Sequence, residues 1–130
     1  MTLLRTLRAM RARPSQQPAR FELRYGAPGD DEVTVGHLAF EAGMWTFAYD
    51  EDYKRRPDLR PIEGFDDIEK VYRSSVLFPF FAVRIPDVDR EDVKRTLKQE
   101  QIKRPEISDL LRLFGRRVVS SPAFELVPCN

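Results

Sequence analysis

Three short segments in the first half of the chain alternate apolar and polar residues, and that period of two constrains the fold class more than any other feature. Phe21, Leu23 and Tyr25 alternate with Glu22 and Arg24. Val33 and Val35 lead into Leu38, Ala39 and Phe40, with Gly36 inside the run predicting a bulge or a close backbone approach. Trp45, Phe47 and Tyr49 alternate with Thr46, Ala48 and Asp50, a segment of strong β formers. A Gly- and Pro-bearing turn over residues 26–31 and the tight Glu41-Ala42-Gly43 connection join the three. Strands this close in sequence pair as an antiparallel meander, and their aromatic face needs a cover.

The second half of the chain supplies helices for that cover. Residues 50–64 are charged, carry Pro57 and Pro61, and read as a long surface loop. Residues 67–74 suit one or two helical turns. Residues 77–83 are the most apolar stretch and predict a short buried helix with Pro79 in its first turn, ended by Pro86. Asp89 is the predicted N-cap of a helix over residues 90–100, with Val93 and Leu97 as a narrow apolar face. Pro105 at N1 and Gly115 after the end bracket another helix, whose Ile107, Leu110, Leu111 and Phe114 form a core-facing stripe. Val118-Val119 and Phe124-Glu125-Leu126-Val127 are candidate terminal strands. The expectation is a single α+β domain, a small antiparallel sheet of four to six strands packed against two or three helices.

Charge divides the chain unevenly. Its 130 residues hold 22 basic and 21 acidic groups, a net of +1, which excludes a strongly basic nucleic-acid coat and an acidic tail protein. Residues 1–20 carry five arginines and no acid, so residues 21–130 are the predicted domain and residues 1–20 a basic arm and linker. Leu3, Leu4, Leu7 and Met10 recur at helical spacing in the arm, and residues 14–18 read as a linker. Three readings fit the arm: a short helix or frayed tail on the domain, a contact to DNA phosphates or an acidic partner through Arg5, Arg8, Arg11 and Arg13, and a targeting peptide. The last lacks the continuous apolar stretch of a secretory signal. The single cysteine, Cys129, cannot make an internal disulfide, and a reducing, cytoplasmic compartment fits best. No apolar run approaches the roughly 20 residues a membrane helix needs.

Chemistry is sparse. The chain has no phosphate-binding Gly motif and no G-x-S-x-G. His37 and Cys129 cannot build a structural zinc site between them, and the acid pairs Asp30-Asp31 and Asp66-Asp67 suit solvated turns. No cofactor or metal is expected, and the prior is a non-enzymatic interaction domain.

The run from Val35 to Asp50 resembles the opening of the HipA N-terminal domain, a Val-Gly, a strand, a tight turn and then Trp-x-Phe-x-Tyr. Leu77-Phe78-Pro79-Phe80-Phe81, followed by Arg84-Ile85-Pro86-Asp87, resembles that family's Phe-Phe-x-x-Leu-Leu-Pro-Glu segment. A helix, a second helix with a Leu110-Leu111 pair and a terminal strand then follow in the family's order, so the resemblance spans roughly residues 21–128. It implies a domain usually fused to a HipA-type Ser/Thr kinase, the toxin of a toxin–antitoxin system whose usual partner is a helix-turn-helix DNA-binding antitoxin. In split systems the domain is a separate small protein that binds the kinase. The resemblance thus implies a stand-alone, non-catalytic regulatory subunit that binds a HipA-type kinase. The alternative is a DNA-associated accessory protein using the basic arm. Residues 60–67 depart from the family's Ser/Leu-rich strand, and Val88-Asp89 lack the bulky aromatic that can plug a kinase site in split members.

Phe78, Phe80 and Phe81 cannot all point inward from one short helix, because successive residues differ by about 100°. Phe80, Phe81, Arg84 and Asp87 are therefore the first candidates for partner contact. Arg55 and Arg56, in the charged loop, are the second.

Overall fold

The computed structural model describes residues 17–26 and 31–129. Five strands and four short helices follow in the order β1 (Ala19–Tyr25), β2 (Val33–Glu41), β3 (Met44–Tyr49), α1 (Glu51–Lys54), β4 (Tyr72–Ser74), α2 (Pro79–Ala82), α3 (Glu91–Gln99), α4 (Ile107–Phe114) and β5 (Phe124–Cys129). The strands form one sheet in the order β4-β3-β2-β1-β5, with every neighbouring pair antiparallel. The chain is an α+β domain, as the period-two segments require.

Register explains the core. Phe21, Leu38, Phe47 and Tyr72 stand opposite one another across β1, β2, β3 and β4. The adjacent inward row runs Leu126, Leu23, Gly36, Tyr49. Gly36 is the gap in that row, and the Phe47 ring lies over it. A Cβ there would stand 2.6 Å from both the Ala48 carbonyl oxygen and the Phe47 ring. The sequence expectation of a close approach holds, and the register also slips beside it, where Leu23 faces Gly36 but Arg24 faces Thr34. Ala42 and Gly43, both at positive φ, close the two-residue turn between β2 and β3.

The helices cover the aromatic face. Phe65 and Phe81, both fully buried, close on Phe47 with ring centroids at 4.5 and 5.6 Å. Leu111 of α4 joins this main core, while Val93 and Leu97 of α3 and Leu110 of α4 form a second, smaller cluster. Ile85 packs against both clusters. Pro79 opens α2 at its first position, as predicted.

Several local expectations fail, each for a physical reason. Residues 50–64 are not simply loop. The Asp50 carboxylate accepts the Asp52 N–H and caps the one-turn α1, and Tyr53 stacks on Tyr49 at 5.5 Å. Residues 67–74 form no helix, because Asp67 turns its carboxylate onto the Glu69 N–H and Tyr72 joins the sheet edge as β4. Asp89 does not cap α3. Its own N–H bonds the Asp87 carboxylate, and Arg90 takes the cap position. Pro105 precedes the cap of α4 rather than opening the helix, since Glu106 and Asp109 form a capping box. Ile107 is exposed in that helix's first turn, leaving the stripe to Leu110, Leu111 and Phe114. Val118 and Val119 form a turn closed by the Ser121 N–H on the Val118 carbonyl, and Val119 is exposed. β1 begins at Ala19, so the last two residues of the predicted arm belong to the sheet. The rest of the arm to residue 16, and residues 27–30 of the first turn, lie outside the described residues.

Candidate partner-binding groove

The residues read as contacts do not form one patch. Phe81, on the inward side of α2, has no exposed surface and is a core residue, so the expectation that it meets a partner is corrected. A four-residue helix has room for one inward aromatic, and Phe81 takes it. Phe80 is half-buried, edge-on to Phe81 at 5.1 Å and to Phe124 at 5.4 Å. Arg84, expected at the surface, is buried just after α2, and its Nη1 donates to the Gly115 carbonyl at 3.2 Å. Asp87 is exposed, but its carboxylate is engaged in the turn before α3. Arg55 and Arg56 lie in and after the cap of α1, both exposed, paired with Asp52 and Asp58. Arg5, Arg8, Arg11 and Arg13 lie outside the described residues.

Phe80 and Arg84 do share a groove of about 380 Å³. It is further lined by Gly64 and Phe65, by Phe78, Pro79 and Val83 of the α2 segment, and by Val118, Ser120 and Ser121. The sequence reading missed Val83, Val118 and the turn at Gly64. The turn gives no periodic signal, and Val118 resembled a strand residue.

The 62–65 wall is held from inside the sheet. Gly64 adopts φ +92°, and the Phe65 N–H bonds the Ile62 carbonyl at 2.9 Å. The Tyr49 hydroxyl completes the turn, donating to the Phe65 carbonyl at 2.6 Å and accepting the Ile62 N–H at 2.9 Å. Burial pushes the Tyr49 phenol up to about 12, against the opposing pull of the Ile62 N–H. The 116–121 wall is anchored on β5. The Leu126 N–H bonds the Arg116 carbonyl, and the Glu125 carboxylate pairs with Arg116 and Arg117. Burial alone would raise Glu125, but the Arg116 hydrogen bond and the two guanidinium charges outweigh it and hold it below the usual value.

A larger depression of about 640 Å³ lies between the start of β1, the end of β5 and α4. Its walls mix Arg20, Arg104 and Arg112 with Glu106 and Asp109, and the two acids are committed to the capping box. The His37 Nε2–H donates to the Asp50 carboxylate at 2.8 Å on the exposed rim of β2. Among the described residues no three His, Cys, Asp or Glu side chains converge as a metal site, and no helix is long and apolar enough to cross a membrane.

No curated protein and no solved structure matches the chain. The family model of the HipA N-terminal domain matches residues 31–119, from just before β2 into the turn that starts at Val118. That span is more than half of the chain and contains both segments whose motifs first suggested the family, so the chain belongs to the HipA N-terminal domain family.

Proposed function

We propose that this chain is a non-catalytic, antitoxin-type regulatory subunit that binds a separately encoded HipA-type Ser/Thr kinase and modulates its toxicity. Membership in the HipA N-terminal domain family, a portion of HipA outside the kinase, is the observation that carries the reading. The family ties the chain to HipA-type toxin–antitoxin systems. The groove supports a binding role, since half-buried aromatics beside a desolvated arginine are the usual anchors of an interface. A helix-turn-helix DNA-binding antitoxin is a second partner consistent with this reading, and the cytoplasm is the compartment.

The test is a tagged pull-down from the native host at about 0.3 M salt, which suppresses most phosphate-type contacts. The expected result is recovery of a HipA-type kinase, identified by mass spectrometry. Retention of DNA alone, at low salt and only while residues 1–16 are present, would overturn the reading in favour of the basic arm. That truncation leaves β1 whole, because the strand starts at Ala19.

A further inference from the structure

The Arg84 guanidinium combines burial with missing partners. It is 4% exposed, yet Nε and Nη2 have no hydrogen-bond partner among the described residues. Burying a charge with open donors is costly, and such groups in folded proteins are normally paired. Here the compensation is partial. Nη1 reaches the Gly115 carbonyl, and the guanidinium carbon lies 5.7 Å from the centre of the Phe80 ring. Neither contact uses the other two nitrogens.

The two open nitrogens are not an arbitrary pair. Nη1 is the nitrogen on the Cδ side of the planar group. Nε and Nη2 share the opposite edge, the one that meets both oxygens of a carboxylate side-on. No acceptor of the groove is bonded to it, and the one acidic wall residue, Glu63, is exposed and makes no bond to Arg84.

We propose that this edge of Arg84 receives the carboxylate of an Asp or Glu side chain from a partner protein. An apolar residue next to that acid would seat against Phe78 and Val83. Charge decides between anions. Arg84 is the one cationic side chain lining the groove, a single positive charge that one carboxylate matches, and the Glu63 carboxylate on the wall works against a phosphate dianion. Surface decides between a protein and a small carboxylate. Val83 and Val119, 62% and 96% exposed, carry the apolar surface beyond the groove, more than a small ligand would cover. Both open nitrogens are covered in the unbound protein, so seating the acid requires the groups over them to shift. This inference rests on the reading of the chain as a partner-binding subunit and names the chemistry the partner presents.

The test is an NMR titration of the full ¹⁵N-labelled chain, following the Arg84 Nε–H signal and the Ser120 and Ser121 amides. The probes are a capped Leu-Glu-Leu peptide, its Leu-Gln-Leu counterpart and inorganic phosphate. The Glu peptide should shift all three signals and bind at least about tenfold tighter than the Gln peptide, the usual worth of a charge-assisted hydrogen-bond pair. Arg84→Leu should fold and abolish that preference. Arg84→Lys, with charge but no fork, should retain only part of it. Equal binding of the two peptides, no shift at millimolar peptide, or tighter binding of phosphate would each overturn the proposal. Equal capture of the kinase by wild type and Arg84→Leu would overturn it while leaving the proposed function standing. A chain that captures no kinase yet discriminates Glu from Gln at Arg84 would uphold it and sink the proposed function.

Discussion

Removing one oxygen, in Tyr49→Phe, tests how the sheet holds the groove. The hydroxyl serves two backbone groups of the 62–65 turn, a carbonyl at 2.6 Å and an N–H at 2.9 Å. Ile62 and Phe65 are both buried, so phenylalanine leaves one donor and one acceptor with no replacement. Each orphaned group costs about 1–3 kcal/mol. Some relaxation of the turn toward water lowers the sum, and about 2–4 kcal/mol is the expected loss, a large part of a domain's total stability. Urea unfolding followed by the fluorescence of Trp45 measures it. The pH dependence supplies an independent reading. In the unfolded chain the Tyr49 phenol titrates near the ordinary tyrosine value of 10.0, whereas burial holds it at about 12 in the fold. The folded state therefore keeps the proton longer. Its stability is intact below pH 10 and is lost as pH rises through about 12. Two units correspond to about 3 kcal/mol at the alkaline limit. Tyr53, whose hydroxyl bonds the Arg60 carbonyl and whose pKa is also raised by burial, adds a loss of the same sign. Tyr49→Phe should start less stable at pH 7 and fall less steeply above pH 10. A variant within about 0.5 kcal/mol of wild type, with an unchanged alkaline slope, would refute this account of the turn.

Gly36→Ala forces a Cβ against the Ala48 carbonyl and the Phe47 ring, so it should destabilise by about 2–3 kcal/mol in the same urea assay. Ala42→Asn relieves a φ of +53° in the β2–β3 turn and should raise stability by about 0.5–1 kcal/mol, seen as a higher urea midpoint at unchanged slope. Arg84→Leu replaces a buried, half-partnered charge with an apolar side chain. It should raise stability by about 1 kcal/mol or more while weakening partner binding, and thermal melting beside the peptide titration would show the two effects parting. The Glu125 carboxyl, held low by Arg116 and Arg117 against its burial, contributes stability present above its unfolded value and lost as pH falls through its folded one. Glu125→Gln should flatten the acid limb of the stability curve, read by urea unfolding between pH 3 and 6, a window set around the ordinary carboxylate range.

What was legible in advance is what local physics controls. The period of two in β1, β2 and β3 survives in the sheet because one-sided burial leaves a strand only one register that hides its aromatics. Pro79 marks the start of α2 because a proline lacks only an N–H that the first turn does not need. Gly36 predicted a bulge or a close approach because a glycine weakens a strand of strong β formers, and the structure shows both, the Phe47 ring against it and the register slip beside it. The failures lie where a side chain's partner is distant in sequence. Tyr53, Ile62 and Phe65 sit in a charged, Pro-bearing stretch, and their burial follows from Tyr49 reaching across to the 62–65 turn. Tyr72 could have closed a helical turn, but β3 offered it an open edge.

The candidate site divides the same way. The scarcity of catalytic motifs pointed to an interaction domain, two segments resembled the HipA N-terminal domain, and the aromatic run around α2 pointed to the region of the groove. Which of three phenylalanines is buried depends on what packs over α2, and the sheet decided for Phe81. An arginine reads as a surface residue in any sequence because its charge prefers water. Only the tertiary structure, by tying Arg116 to β5 and bringing the Gly115 carbonyl to Arg84, turned that residue into a buried guanidinium with one edge unpaired. Strand and helix identity follow from the spacing of apolar residues along the chain, which the sequence alone determines. Burial of a particular charge follows from contacts between segments some 30 residues apart, and no local pattern encodes those.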